Sequence, residues 1–281
     1  MKSLVKCDIY KLKKSRYFWI CLIISVLLAA ATVFLLDFTY KLAGENMEAQ
    51  IEQQQAAMEE SGLSVSAEGI PKNYDNLSTS AQLMTFFAGN TTLIMAVLIS
   101  LFVGSEFNQG TIKNIASRNY SRSAIYLSKL IVGILVSILY TLLFVLTAAL
   151  IASVLWGFGD VSSDFWIHTL QRGALELLLG AAYASLFVMF SILIRQNGGS
   201  LAVNICFLEF TSLILSLAEM AAGKLLGHSV SLAQYLPDMN MSILAQNPDQ
   251  GDLLRALAVG ICFLVLPAFI GIWSFNKRDI K

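Results

Sequence analysis

The sequence predicts an all-α membrane protein: six transmembrane helices, both termini in the cytoplasm, an amphipathic interfacial helix before the first span, and a short cytoplasmic helix between the second and third. Three observations predict it. Only 14% of the 281 residues are charged and 56% are hydrophobic, whereas a soluble domain carries roughly 25% charged residues. Six apolar runs, 18–36, 83–103, 130–155, 173–194, 201–219 and 254–274, match the roughly 20 helical residues that cross a hydrocarbon core of about 30 Å. The formal net charge of zero hides a segregation of charge along the chain. Helices follow because lipid cannot satisfy an open strand edge, and no alternating barrel pattern is seen.

The first run has small residues near its end, Ala29–Ala31, as a cleaved signal would. Its apolar core exceeds the usual roughly 7–15 residues, and five more runs follow, so it reads as an uncleaved first helix. Orientation comes from lysine and arginine. With the N-terminus inside, the inner segments hold Lys2, Lys6, Lys11, Lys13, Lys14, Arg16, Lys113, Arg118, Arg122, Lys129, Arg195, Lys277, Arg278 and Lys281. Only Asp8, Glu106 and Asp279 oppose these 14 of the 19 basic residues. The first outer loop is acidic, with Asp37, Glu45, Glu48, Glu52, Glu59, Glu60, Glu68 and Asp75 against Lys41 and Lys72.

Each connecting element has its own signature. In residues 1–17, Val5, Ile9 and Leu12 follow the helical period with Leu4 beside them, and lysines fill the remaining turn. That is an interfacial helix on anionic lipid, anchored by Tyr17, Phe18 and Trp19. In the 37–82 loop, Glu45 to Glu60 is made of good helix formers and is then broken by Gly62, Gly69 and Pro71. In the 104–129 segment, Gly110 ends one helix and Thr111 is placed to cap the next. Ile112, Ile115 and Ala116 make one narrow apolar face there, and Lys113, Asn114, Ser117 and Arg118 fill the rest. Such a helix suits a groove on a soluble partner. Asn119-Tyr120-Ser121 supplies a second turn and cap. "RQNGGS", residues 195–200, is a tight turn between antiparallel neighbours. The 220–253 loop is half apolar and broken by Gly223, Gly227 and Pro237, which predicts short helices dipping partway into the membrane, with Asp238 and Asn247 at caps or turns.

The chemistry of most enzymes is missing. There is no P-loop, no His-Glu-x-x-His and no Gly-x-Ser-x-Gly, so the chain binds no ATP by a P-loop of its own. His168 and His228 are far apart, and Cys7, Cys21, Cys206 and Cys262 lack metal-ligand spacing. Nucleic-acid binding has no support, since basic and aromatic residues do not interleave on a soluble face. Glu209 falls mid-span, where a bare carboxylate costs about 2.5–3.5 kcal/mol. It either lines a substrate path or makes an interhelical hydrogen bond. Arg172 and Glu176 have the spacing of a local ion pair. Asp37 and Glu219 fall at helix ends, where water reaches them.

The stretch "EFNQGTIKN", Glu106 to Asn114, resembles the Glu-Phe-x-x-Gly-Thr motif that follows the second span in ABC transporter permeases of the type-2 exporter class. The interfacial helix, the six spans and the half-buried loop before the last span resemble that class over essentially the whole chain, 1–281. The chain is most similar to small bacterial subunits that handle peptide antibiotics, lantibiotics or amphipathic toxin peptides. Its long acidic first outer loop departs from the larger members. The resemblance implies a single permease domain in a bacterial cytoplasmic membrane, paired with a second permease subunit, identical or paralogous. It also implies a cytoplasmic ABC ATPase dimer that binds the ATP and Mg. Glu106, Gly110, Thr111, Ile112, Lys113, Ile115 and Arg118 would then form the ATPase-coupling segment, with Glu106 paired to a base such as Arg118 or Arg122. The rival readings are a secondary transporter or channel using Glu209 without an ATPase, and a membrane-embedded enzyme.

Overall fold

The computed structural model describes residues 1–43, 77–88, 91–117, 120–161, 163–226, 232–246 and 248–277. The helix expected over Glu45–Glu60 lies outside these residues, as do Arg118, Asn119, His228 and Asn247. Regular structure among the described residues is helical throughout. It comprises α1 (Lys2–Lys14), α2 (Arg16–Ala43), α3 (Thr79–Phe87), α4 (Thr91–Asn108), α5 (Thr111–Ala116) and α6 (Arg122–Trp156). Then come α7 (Phe165–Ile194), α8 (Asn197–Leu226), a 3-10 turn (Ala233–Tyr235), α9 (Pro237–Ala245) and α10 (Gln250–Lys277). Six stretches are long and apolar enough to cross a membrane: Arg16–Leu42, Thr79–Asn108, Arg122–Trp156, Phe165–Ile194, Asn197–Lys224 and Gln250–Lys277.

The second expected run, 83–103, divides into α3 and α4, with α3 ending at Phe87. The sequence there reads Ala88-Gly89-Asn90, and glycine and asparagine are weak helix formers. Ser78 caps α3 by accepting from the Ala81 amide at 3.4 Å. The fourth span begins at Phe165 rather than 173, because the polar turns around His168 and Arg172 continue the helix beyond the apolar run.

α7 is the centre of the bundle, with α4, α6, α8 and α10 packed on it. Its buried surface is rich in small residues, Gly180, Ala181, Ala182, Ala184 and Ser185. Small side chains let backbones approach where lipid supplies no hydrophobic drive between helices. Ser185 donates to the Leu264 carbonyl of α10 at 2.8 Å. α8 packs on α4 and α7 around Asn204, and farther along its Glu219 accepts from the Leu232 and Ala233 amides. Its wholly buried Asn204 donates to Ser100 of α4 at 2.7 Å and to Ser191 of α7 at 3.3 Å. Beyond it, Phe210, Leu213, Ile214, Leu217 and Met220 are exposed.

Two ends follow from the contacts. At one end Ser3 meets Tyr120 at 3.1 Å and Arg122 donates to the Asn276 carbonyl at 3.0 Å. The α7–α8 turn at Arg195, left-handed with φ 60°, joins the antiparallel neighbours that "RQNGGS" predicts. At the opposite end the Trp156 indole donates to Asp37 at 3.0 Å, and the Thr79 amide donates to the Gly157 carbonyl at 3.2 Å. α9 lies along α7: the Asp238 backbone N–H addresses the Tyr183 hydroxyl, and Arg172 donates to the Gln246 carbonyl at 2.9 Å. Tyr183 lies about 16 Å along α7 from Arg172, so α9 runs alongside about three turns of α7. A short helix therefore does form within 220–253 and packs on α7. Leu236 occupies its N-cap and Pro237 its first position, which leaves Asp238 in the first turn rather than at the cap.

Candidate functional site

The segment from Glu106 to Lys129 is built from local rules. Gly110, at φ +65°, reverses the chain after α4, a conformation that costs glycine nothing. Thr111 opens α5, with its hydroxyl turned back to the Glu106 carbonyl at 3.3 Å instead of capping α5. Ser121 caps α6 by accepting from the Ala124 amide at 3.3 Å. A one-and-a-half-turn helix thus hangs between two long rods, as its sequence predicts.

Its apolar face points the other way from the expected one. Ile112 is only 2% exposed, and Ile115 packs against the main core. Both are held by their own chain, because the nearest apolar surface is that of the adjoining helices. The outward side chains are Asn114 and Ser117. The side chain of Lys113 lies outside the described residues.

Glu106 is buried, and among the described residues, which do not include Arg118, its partners do not include the expected Arg122. It meets Lys11 of α1 at 3.1 Å and Lys129 of α6 at 2.7 Å. Lys129 also binds Asp8 of α1 at 2.6 Å and lies 4.8 Å from the centre of the Phe102 ring. Asp8 accepts a second hydrogen bond from Ser128 at 2.5 Å. Two lysines and two carboxylates from three helices therefore close into an internally neutral cluster. Lys129 is its centre and is only 1% exposed. Arg122, at the first turn of α6, is too near the end to reach Glu106 and goes to Asn276 instead. Burial works to lower the Lys11 pKa, but the charge and hydrogen bond of Glu106 outweigh it and hold the ammonium above the usual lysine value.

The cluster also sets the rotation of α1. The expected face was Val5, Ile9 and Leu12; the buried one is Leu4, Asp8 and Leu12, with Val5 partly buried and Ile9 41% exposed. Satisfying Asp8 beside Lys129 outweighs burying Ile9, since an unpaired buried charge costs more than one exposed apolar side chain. Beside the cluster lies a cavity of about 340 Å³, lined by Lys11, Lys14, Tyr17, Glu106 and Gln109 among others.

Sequence reading missed Asp8 and Lys129. Asp8 was one acid in a basic segment, and Lys129 was counted as a loop base although it lies two turns inside α6. The signal available was their isolation: a lone acid on an otherwise basic helix and a lone base flanked by apolar residues.

The remaining sites fall elsewhere. Glu209 is exposed on α8 beyond Asn204 and makes no interhelical hydrogen bond among the described residues. Asp238 faces it closely enough that burial, and then the Glu209 charge, hold the Asp238 pKa above the ordinary carboxylate value. The expected Arg172–Glu176 pair is not made. Arg172 turns to Gln246, and neither Glu176 oxygen has a hydrogen-bond partner. No group of three or more His, Cys, Asp or Glu suited to a metal occurs among the described residues.

These features define a class: a helical protein with six membrane-crossing stretches and a buried ion cluster beneath a short connecting helix. The chain belongs to the DUF2705 family, described as a protein of unknown function, whose model matches residues 49–281. Glu106 and Lys129 fall within that match, and Asp8 and Lys11 precede it. A search of curated proteins finds no match.

Proposed function

We propose that the chain is the membrane permease subunit of an ATP-driven ABC exporter in a bacterial cytoplasmic membrane, with both termini inside. The observation that carries this reading is the attachment of α5. The short helix hangs between two membrane rods, and its root at Glu106 is tied through buried ions to α1 and α6. Force applied to α5 passes to three helices at once, as in switches that tilt rigid elements about their junctions. The motor is a separate cytoplasmic ATPase dimer that holds ATP and Mg; the chain itself is not the enzyme. Asn114 and Ser117 form the surface it grips, while Ile112 and Ile115 fix α5 from within. Two permease subunits enclose the path, and Glu209 lines it. The cargo is an amphipathic peptide, an antibiotic, lantibiotic or toxin, whose cationic groups suit Glu209 and Asp238.

The test is co-purification from membranes with the ATPase encoded beside the chain. Asn114→Asp with Ser117→Asp should abolish the complex while leaving insertion and melting unchanged. A complex that survives both changes removes the coupling assignment. A second reading, an ATP-independent transporter, is favoured by the facing of Glu209 and Asp238 across α8 and α9. Purified chain in vesicles that moves peptide without any ATPase would establish it.

A further inference from the structure

Glu176 takes no part in the cluster at the α5 end, yet it is the most isolated carboxyl in the bundle. It is 1% exposed, and both its oxygens lack a hydrogen-bond partner. Its location follows from helix geometry. Arg172, Glu176 and Tyr183 lie at i, i+4 and i+11, on one face of α7 within about 40°. Arg172 and Tyr183 both meet α9, at Gln246 and Asp238 respectively. Glu176, between them, lies beneath α9. On α9 itself Asn240, Met241 and Leu244 are buried.

We propose that Glu176 is a proton-binding site and that its bound proton keeps α9 seated on α7. A carboxylate is an acceptor only, and among the described residues no donor reaches it. The charged groups of the surrounding elements are engaged elsewhere or remote. Arg172 of α7 is held by Gln246, and Asp238 of α9, a carboxyl that supplies no positive charge, lies at the far end of that helix. On α10, Asp252 and Arg255 pair with each other at 2.7 Å and Lys277 stands in the last turn. Glu106 of α4 belongs to the cluster at the opposite end, and His168 of α7 is exposed one turn before Arg172. α3 carries no ionisable side chain, and the only charged residues of α6, Arg122 and Lys129, stand at the opposite end. α8 adds only the anions Glu209 and Glu219, and Lys224 at its last turn. Among the described residues no side chain supplies a counter-charge. A proton needs no room, whereas a metal cation needs several oxygen ligands. Loss of that proton to water breaks the carboxyl O–H bond and leaves a bare anion. The anion gains solvation only if α9 lifts, which frees Arg172 from Gln246 and moves Asp238 away from Glu209. This inference stands independently of whether ATP drives transport.

The experiment uses the full chain in membranes, with Cys7, Cys21, Cys206 and Cys262 replaced by Ser or Ala. Met241→Cys reports the buried side of α9, and Met239→Cys, which starts exposed, reports the intrinsic pH dependence of the thiol. Labelling by a membrane-impermeant maleimide is expressed as the ratio of the two. With Glu176 present the ratio should rise by about tenfold per pH unit over part of the range from about pH 5 to 9. With Glu176→Gln it should stay low throughout. A flat ratio with Glu176 present overturns the proposal, as does the same rise in Glu176→Gln. Should Glu176→Gln not accumulate, the profile with Glu176 present decides alone.

Discussion

Lys129→Met removes the one cation lying between two buried carboxylates, 2.6 Å from Asp8 and 2.7 Å from Glu106. Methionine fills nearly the same volume, so packing beside Phe102 survives and the electrostatic loss is isolated. Breaking a buried pair from one side costs about 3–5 kcal/mol, because the other charge stays behind without its partner. Two anions are stranded here, but each keeps one partner: Ser128 for Asp8 and Lys11 for Glu106. The cost should therefore fall near the lower end, about 3 kcal/mol. By size scaling that is a loss of roughly 6–12 °C in melting temperature. Thermal unfolding in detergent, followed by fluorescence or aggregation, reads it directly. The decisive comparison is the triple variant Asp8→Asn, Glu106→Gln, Lys129→Met. Only the Lys11 cation then remains, and its side chain is 35% exposed and can be solvated, so the variant should regain most of the loss, since replacing a buried ion set is often neutral. A single variant within about 1 kcal/mol of the parent, or a triple variant no better than the single, would refute the claim that these charges are buried and mutually dependent.

Gly104→Ala should destabilise by about 1–3 kcal/mol. Its Cβ would lie 2.4 Å from the Asn197 side-chain oxygen and 2.9 Å from the Asn197 Cα, so adding Asn197→Ala should recover little, as melting of both variants will show. Lys11→Met should cost under about 1 kcal/mol, because the Lys11 side chain is 35% exposed and such pairs are screened. Since its folded pKa is raised, that contribution is fully present below the unfolded lysine value of 10.5 and fades as pH climbs through the folded one. A difference between parent and variant that shrinks between neutral and mildly basic pH would contradict the pairing. Asp238→Asn should be stabilising at neutral pH. Its acid is held above the free value of 3.8, so the native contribution is present below that value and lost as pH rises through the folded pKa. Melting curves of parent and variant should converge on acidification below about pH 4.

How much was legible depended on how local each signal was. Gly110 marks the start of α5 and Ser121 the start of α6 by backbone and capping chemistry confined to a few residues, and both were readable. The partners of Glu106 were not. Nearness in sequence favoured Arg118 and Arg122, but Asp8 lies 121 residues from Lys129, and no pattern along one helix records which distant helix will face it. The rotation of α1 failed for a related reason. A count of apolar residues places Ile9 inward, whereas a single ion pair with α6 turns it outward.

The sequence alone determined the number of crossing stretches and the boundaries set by glycine and caps. Lipid demands that each segment satisfy its own backbone, and that demand is met residue by residue along one helix. Only the tertiary structure decided which charges meet, which face of α1 and α5 is buried, and that Glu176 has no partner while α9 covers it. Those outcomes are set by the relative placement of helices, where desolvation and pairing energies of a few groups outweigh the periodicity of many.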